Sequence, residues 1–273
     1  MKLATVITTP EVPVAVPVAL LTGSFEERLD KAAALGYDGL ELMILDPDLF
    51  DSAGVARQIR DRGLEVAALG TGAQFLVDRL TLIAGYSDLE RRAFDRVQKL
   101  VEFAALCGSP LVTIGSFRGK LAWGGEGAGT RMVEILRRCA EVAGEHGIRI
   151  ALEPLNRYEA DFILTAAQGM DLVKTIDHAA FGLLLDTFHM NIEEPDLAGS
   201  VHTASERLWH IHLGDSNRLP PGGGHFDFKL VVETLKKIDY AGYLSAELLA
   251  LPDPDTAARL TIEAMRQLVP AGQ

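Results

Sequence analysis

Four residues in the C-terminal half of the chain combine metal-binding chemistry with a regular spacing. They close the apolar segments IRIALE, FGLLLD, LWHIH and YLSAE, and they are Glu153, Asp186, His212 and Glu247. The intervals between them are 33, 26 and 35 residues, and one strand with its crossover helix takes about 30 residues or more. We therefore predict that the four side chains lie at the carboxyl ends of four successive parallel strands.

Side chains of this kind, gathered into one space, require a cation. In a closed (β/α)8 barrel the carboxyl ends of the strands converge on one mouth, where such enzymes keep their chemistry. Three carboxylates would repel one another there unless a cation lay between them. Carboxylate oxygens with one imidazole favour a hard or borderline divalent ion, whereas a structural zinc site normally uses Cys and His. We expect Mn²⁺, with Co²⁺ or Mg²⁺ as the alternatives.

Two of the four residues are glutamates that could also move protons. Glu153 and Glu247 end the predicted fifth and eighth strands, so we expect them on opposite sides of a substrate. A cation that polarises a carbonyl acidifies the neighbouring C–H group. One glutamate would remove that proton to give an enediolate, and the other would return a proton to the opposite face. This scheme predicts inversion at carbon, whereas a single group performing both transfers would move the carbonyl instead.

The elements that must position these residues alternate along the chain. Helical patterns with charged outer faces separate eight apolar runs, for example at 24–36, 88–108 and 227–242. The predicted strands are 3–8, 39–44, 65–70, 111–115, 148–154, 181–186, 208–213 and 243–248. Such alternation predicts one α/β domain over 1–273, a (β/α)8 TIM barrel. A doubly wound sheet usually has a Gly-rich phosphate turn after its first strand, and segment 6–13 offers none.

Alternation within the strands predicts which side of the strand each side chain occupies. Residues two apart share a face of a strand, so Ala151 lies on the side of Glu153, and His210 on the side of His212. Small or polar neighbours suit a crowded barrel interior. We expect His210, one layer deeper than His212, to be a hydrogen-bonded core histidine and not a ligand.

Composition limits the classes of partner and compartment. The net charge of −12 argues against a nucleic-acid partner, which clustered Lys and Arg would bind. The sequence has no 18-residue apolar run and no signal-peptide pattern at its start, so we expect neither a membrane partner nor export. Cys107 and Cys139 fall in predicted helices, and we expect free thiols of a reducing compartment. A cytoplasmic enzyme of small molecules is the expectation.

Polar loops after the predicted strands supply candidate substrate contacts. His189 follows Asp186 by three residues, and Arg218 and His225 flank a turn in segment 214–228. We expect His189 and Arg218 to stabilise a developing oxyanion. Asp227 is placed to cap the next helix and would oppose a dianion, so we expect an unphosphorylated substrate.

Two further segments are expected to be long loops at the barrel mouth. They are the Pro-containing segment 12–23 and the Gly-rich segment 122–130. Loops at this end of a barrel bind substrates and can act as lids.

The motifs together resemble a known group of enzymes. The segments ALEPLNRYE, LLLDTFHMNIEE, HIHLGDSNR, GGGHFDF and LSAELL resemble the sugar isomerase/epimerase superfamily with the xylose isomerase-like barrel. Within it, the chain is similar to ketose 3-epimerases of the D-tagatose and D-psicose type. The segments GTGAQFL and GSFRG extend this similarity to 5-keto-L-gluconate epimerases.

The resemblance implies roles for particular residues. It implies homo-oligomers and an Mn²⁺ site in which two glutamates also act as acid and base. The implied ligands are Glu153, Asp186, His212 and Glu247, and the implied contacts to substrate oxygens are Glu159, His189 and Arg218. If the substrate is a keto-acid, its carboxylate needs a cation, for which the candidates are Arg118, Arg157 and Arg218.

Three alternatives to an epimerase stay open at this point. The first is an aldose–ketose type isomerase on the same fold, such as hydroxypyruvate isomerase. The second is a DNA-repair barrel of the endonuclease IV type, which would need a three-metal, histidine-richer cluster and a basic groove. The acidic balance and only seven histidines weigh against it. The third is a sugar-sensing barrel, which has no need of two opposed glutamates.

Overall fold

Eight parallel strands close into a barrel in which each strand pairs with its neighbours in the chain and β8 pairs with β1. The structure, a computed structural model, describes residues 1–271. Gly272 and Gln273, which the expected domain 1–273 included, lie outside the described residues. The strands are β1 (Lys2–Thr8), β2 (Gly39–Met43), β3 (Glu65–Gly70), β4 (Leu111–Ile114), β5 (Arg149–Leu152), β6 (Phe181–Asp186), β7 (Leu208–Leu213) and β8 (Tyr243–Ala246). The predicted (β/α)8 barrel is confirmed.

Helices follow every strand along the chain. They are α1 (Phe25–Leu35), α2 (Ser52–Asp61), α3 (Gly72–Asp78), α4 (Ser87–Cys107), α5 (Leu121–Gly124), α6 (Ala128–Glu145), α7 (Ala166–Ile176), α8 (Thr187–Glu193), α9 (Leu197–Ala204), α10 (Phe228–Lys237) and α11 (Pro254–Arg266). The short helices α3, α5 and α8 are additions, each inserted after a strand and before the longer helix that leads to the next one. They thicken the barrel at the end where the strands finish.

The strand ends differ in detail from the prediction. The predicted strands 65–70, 181–186 and 208–213 are confirmed, but β5 stops at Leu152 and β8 at Ala246, two residues early in each case. Pro154 has no N–H to continue the β5 ladder, so Glu153 makes the last bond of that strand, its N–H donating to the carbonyl of Ile114 at 3.0 Å. Glu153 and Glu247 therefore stand just beyond their strands.

Of the two predicted long loops, one is confirmed and the other is not. Segment 12–23 has neither helix nor strand, as predicted. The prediction of a loop over 122–130 was wrong, because α5 covers its start and α6 begins at Ala128. Gly127 between these helices has a left-handed backbone, φ 72°, which glycine adopts without the steric cost of a Cβ.

Alternate strand residues divide between two cores, as the pattern predicted. Leu152, Leu185 and Ile211 point outward into the main core beneath the helices. Ala151 and Leu184 point inward into a small apolar cluster inside the barrel. Because each fully buried leucine contributes about 1.5–3 kcal/mol, a one-residue slip that reversed these faces would be strongly disfavoured.

Both cysteines are buried. Cys107 in α4 and Cys139 in α6 are free, and burial raises their pKa to about 11 and about 12. Thiols of this kind stay protonated and inert.

Within residues 1–271, no helix combines the length and apolar character needed to cross a membrane.

The first turn of α10 depends on one side chain. Asp227 Oδ1 accepts a hydrogen bond from the Leu230 N–H at 2.9 Å, as the sequence predicted. We expect Asp227→Ala to lower the free energy of unfolding by about 1 kcal/mol, since the cap is lost. Asp227→Asn keeps the acceptor and is the control. Urea unfolding of both variants measures the effect, and an equal loss in the two would contradict the capping role.

Candidate metal centre

The four residues singled out by their spacing meet at the barrel mouth. One coordinating atom from each of Glu153, Asp186, His212 and Glu247 lies within 4.8 Å of the others. His212 Nδ1 is 3.2 Å from Glu153 Oε1 and 3.6 Å from Glu247 Oε2. A Cβ at Gly115, the residue after β4, would lie 2.4 Å from Glu153 Oε2. Glycine there leaves Glu153 room to reach the cluster.

An orphaned oxygen shows that this donor set fits a cation. Asp186 Oδ1 accepts from the Phe188 N–H at 2.7 Å, but the buried Oδ2 has no hydrogen-bond partner among the described residues. Burial raises the pKa of Asp186 to about 6, although Arg218 opposes the shift. A buried carboxylate oxygen without a donor is costly. A divalent cation that takes oxygen and imidazole ligands would satisfy it.

The two glutamates of the cluster have different electrostatic surroundings. Burial raises the pKa of Glu153, and a hydrogen bond with His212 only partly opposes this shift. Burial also acts on Glu247, but His212 and Arg218 outweigh it and lower its pKa. Arg218 Nη2 donates to Glu247 Oε2 at 2.8 Å. One carboxyl therefore favours the protonated form more than the other, as an acid and base pair requires.

The sequence prediction missed Glu41, which orients the metal-facing histidine. Glu41 Oε2 lies 3.0 Å from His212 Nε2 and 2.9 Å from His210 Nε2. Despite burial, the two imidazoles hold the pKa of Glu41 well below its usual range. Because Nε2 donates its N–H to Glu41, Nδ1 is the nitrogen of His212 that would give up its proton to bind a metal, a common arrangement for metal-binding histidines. A lone carboxylate inside the apolar strand GLELM was the available signal.

The same contacts indicate whether His210 is a metal ligand or a core residue. Together with Glu41 and His212, it also has the proximity expected of a cation site. Its Nε2 is already at hydrogen-bond distance from Glu41, however, and its side chain is fully buried. We therefore interpret the group as a carboxylate shared by two imidazoles. The expectation of a hydrogen-bonded core histidine agrees with this geometry.

His189 presents one N–H to the space in front of the cluster. Asn156 Oδ1 accepts from the Tyr158 N–H, which turns the Asn156 amide nitrogen toward His189 Nδ1 at 2.8 Å. Nδ1 is therefore the acceptor, and the proton resides on Nε2. This Nε2 is 3.7 Å from Asp186 Oδ2 and has no hydrogen-bond partner within residues 1–271. Burial lowers the pKa of His189, which favours the neutral ring.

The cluster opens into a cavity of about 280 Å³. Glu159, His189 and Arg218, the expected contacts to substrate oxygens, all line it. Arg218 Nη1 is 3.6 Å from Glu159 Oε1, and its guanidinium lies over the Phe188 ring at 5.1 Å. The loop 12–23 contributes to the wall, as predicted for a loop at the mouth.

Two predicted substrate contacts need correction. The cavity wall does not include Arg118, whose fully buried guanidinium donates to the carbonyls of Glu153, Phe162 and Ile163. Its two Nη groups hold the backbone of Glu153 and of the loop after β5, and the side chain is not exposed to the cavity. His225 is exposed in its loop, and its Nδ1 lies 3.0 Å from Ser216 Oγ, outside the cavity wall.

Comparison with known proteins identifies the family to which the chain belongs. Residues 29–268 match the family described as the xylose isomerase-like TIM barrel. The chain belongs to that family. This confirms the expected superfamily.

Within this family, the chain is similar in sequence to ketose 3-epimerases. The chain is 33% identical over 236 residues to the L-ribulose 3-epimerase of Methylomonas sp., with 85% of this chain and 81% of that protein covered. It is 32% identical over 239 residues to the D-psicose 3-epimerase of Ruminiclostridium cellulolyticum, with 82% and 78% covered. Its fold is similar to the crystal structure of D-psicose 3-epimerase with D-tagatose from Clostridium cellulolyticum, with a TM-score of 0.80, 24% identity and coverage of 99% and 100%.

Removing the Glu41 charge should weaken metal binding without touching a ligand. We expect Glu41→Gln to raise the Kd for Mn²⁺ by about 10–100-fold, the usual cost of losing a partner of a metal-bound histidine. Titration calorimetry of the purified, metal-free variant measures this. Glu65→Gln is the control, because Glu65 begins β3 and pairs with Lys2 at the other end of the barrel. An unchanged Kd in Glu41→Gln would rule out the orienting role.

Metal binding should also weaken in acid. The raised pKa of Asp186, about 6, means that a proton occupies this ligand below that pH and must leave when metal binds. We expect the Kd for Mn²⁺ to rise steadily as the pH falls from about 7.5 to about 5.5. Calorimetry in buffers of different ionisation enthalpy counts the released protons, and circular dichroism checks folding at each pH. A constant affinity without proton release would contradict this linkage.

Proposed function

We propose that the protein is a metal-dependent epimerase that inverts the carbon next to the carbonyl of an unphosphorylated ketose or keto-aldonic acid. The reaction type is that of D-tagatose, D-psicose or 5-keto-L-gluconate 3-epimerases. One observation carries the proposal: two glutamates, Glu153 and Glu247, belong to one cluster of potential metal ligands, and both line the cavity into which it opens. The names of the two relatives described above support the same reaction class.

The proposed cofactor is Mn²⁺, with Co²⁺ or Mg²⁺ as alternatives. Three carboxylates and one imidazole suit such ions, which leave positions open for substrate oxygens. When bound, the ion supplies the Lewis acidity that polarises a carbonyl and acidifies the adjacent C–H. The residues that would hold it are Glu153, Asp186, His212 and Glu247.

The two glutamates perform the proton transfers in this proposal. One carboxylate takes the proton from the carbon next to the carbonyl, and the electron pair of the broken C–H bond moves into an enediolate. The second, protonated carboxyl then donates its proton to the opposite face of the same carbon. No atoms are gained or lost, and the configuration inverts. The differing environments of Glu153 and Glu247 suit one base and one acid.

Neighbouring donors would hold the substrate oxygens during these transfers. His189 Nε2–H and the Arg218 guanidinium both face the cavity beside the cluster. Neutral imidazole donates a hydrogen bond to a developing oxyanion without giving up its proton, and a guanidinium adds charge. Glu159, held by Asn156 Nδ2 at 3.0 Å, can accept from a substrate hydroxyl.

The electrostatics of the mouth support an unphosphorylated substrate. The Arg218 charge is already paired with Glu247. Asp227 occupies the N-terminus of α10, where a phosphate would otherwise bind, and its charge opposes a dianion. The proposed partner is therefore a small neutral sugar or a keto-acid, and not a nucleic acid or a membrane.

Proton exchange in D₂O tests the reaction directly. We expect the Mn²⁺-loaded enzyme to incorporate deuterium next to the carbonyl and to produce a new epimer of at least one candidate. The panel is D-fructose, D-psicose, D-tagatose, 5-keto-L-gluconate and hydroxypyruvate, followed by NMR. Aldose or shifted-carbonyl products would favour the isomerase alternative. No exchange with metal bound would overturn the proposal and reopen the nuclease and sensor alternatives.

Loss of one acid–base group should separate binding from turnover. We expect Glu247→Gln to lower kcat by about 10²–10⁴-fold, the usual contribution of a general acid or base, while most substrate binding remains. Metal content is measured in the same sample, so that loss of the ion is not mistaken for loss of proton transfer. Glu65→Gln, remote from the mouth, is the control. A wild-type rate in metal-loaded Glu247→Gln would remove the two-base mechanism.

A further inference from the structure

A second cavity adjoins the metal centre on its outer side. It measures about 270 Å³ and shares Phe75, Ser116, Leu155 and Glu159 with the first. The second cavity, called here the outer bay, also includes Lys120 and Trp123 in its wall. A substrate whose carbonyl end faces the cluster would direct its far end into this space.

Lys120 is a cation in the wall of the outer bay with no ionic partner. Among residues 1–271, no side-chain hydrogen bond or ion pair involves its ammonium group. Its Nζ lies 5.9 Å from the centre of the Trp123 ring, a cation–π arrangement that holds the side chain at the bay without neutralising its charge.

The nearby acidic groups are committed elsewhere. Glu159 accepts from Asn156 and faces Arg218. The Asp161 carboxylate accepts from the N–H groups of Leu121 and Ala122 at 3.0 and 2.9 Å. Neither forms an ion pair with Lys120, so its charge is free to meet an anion brought by a ligand.

None of the arginines considered for a keto-acid carboxylate lies in the wall of the outer bay. Arg118 is buried against backbone carbonyls. Arg157 forms a double ion pair with Glu193, with N–O distances of 2.9 Å and 2.9 Å. Arg218 is paired with Glu247 at the cluster. The sequence prediction did not include Lys120, because nothing in the sequence distinguishes it from other lysines. Only the fold shows that it lies at the outer bay.

We propose that Lys120 binds a carboxylate at the far end of the substrate and so selects keto-aldonic acids over neutral ketoses. The inference rests on the proposed epimerase function and adds the substrate class to it. A charge-assisted hydrogen bond from the ammonium to a carboxylate is stronger than one between neutral groups. A neutral ketose would place only a hydroxyl there.

The test compares an anionic and a neutral substrate in one variant. We expect Lys120→Met to raise KM for 5-keto-L-gluconate about tenfold to a hundredfold, the usual worth of one charged hydrogen bond. The rates on D-tagatose and D-psicose should stay within about twofold, since those substrates lose no ion pair. Lys229→Met, on the exposed face of α10, is the matched control. Added salt should raise KM for the keto-acid alone.

The outcomes separate this inference from the proposed function. Turnover of neutral ketoses but not of the keto-acid by the wild type would overturn the role of Lys120 and leave the epimerase standing. An equal loss on both substrate classes in Lys120→Met would also overturn it, since the residue would then only support the bay. No deuterium exchange on any substrate by the wild type would overturn both.

Discussion

The carboxylates of Glu153, Asp186 and Glu247 share one buried space, and their repulsion is the constraint on which the mouth of the barrel depends. Each oxygen there must meet a donor or a cation, because water is largely excluded. Protein donors serve part of the set: the Phe188 N–H binds one oxygen of Asp186, and Arg218 binds Glu247. His212 lies at hydrogen-bond distance from Glu153, but Asp186 Oδ2 has no partner among the described residues, which makes the cluster a place for a divalent ion.

Residues that are not themselves proposed ligands still determine the geometry of the cluster. Glu41 binds the far nitrogen of His212, Asn156 sets the tautomer of His189, and Arg118 holds the carbonyl of Glu153 from behind β5. Each is buried and each makes more than one such bond. Supporting partners of this kind fix the orientation of a ligand more strictly than the ligand's own rotamer preferences can. The site therefore has two layers of residues: the charged side chains of the cluster, and the supporting residues that fix their orientation.

Prediction from sequence succeeded where a spacing or a period carried the information. Eight apolar runs separated by amphipathic helices led to the barrel, and the intervals between Glu153, Asp186, His212 and Glu247 led to their meeting. It failed for Arg118, because a sequence motif cannot tell whether a guanidinium faces a cavity or turns back onto carbonyls. Glu41 escaped notice because a single acidic residue in a strand has no partner until the barrel closes β2 opposite β7.

In the proposed function, chemistry and selectivity belong to different parts of the fold. The proposed ligands lie at or just beyond strand ends, where the ladder of the closed barrel leaves the backbone little freedom. The outer bay is built from α3, the turn after β4, the short α5 and the loop after β5, all insertions between strands and the main helices. Loops of this kind can change length and charge at small cost to the barrel. If Lys120 selects the substrate as proposed, a change in that outer layer would alter the charge of the accepted substrate and leave the proposed proton-transfer residues in place.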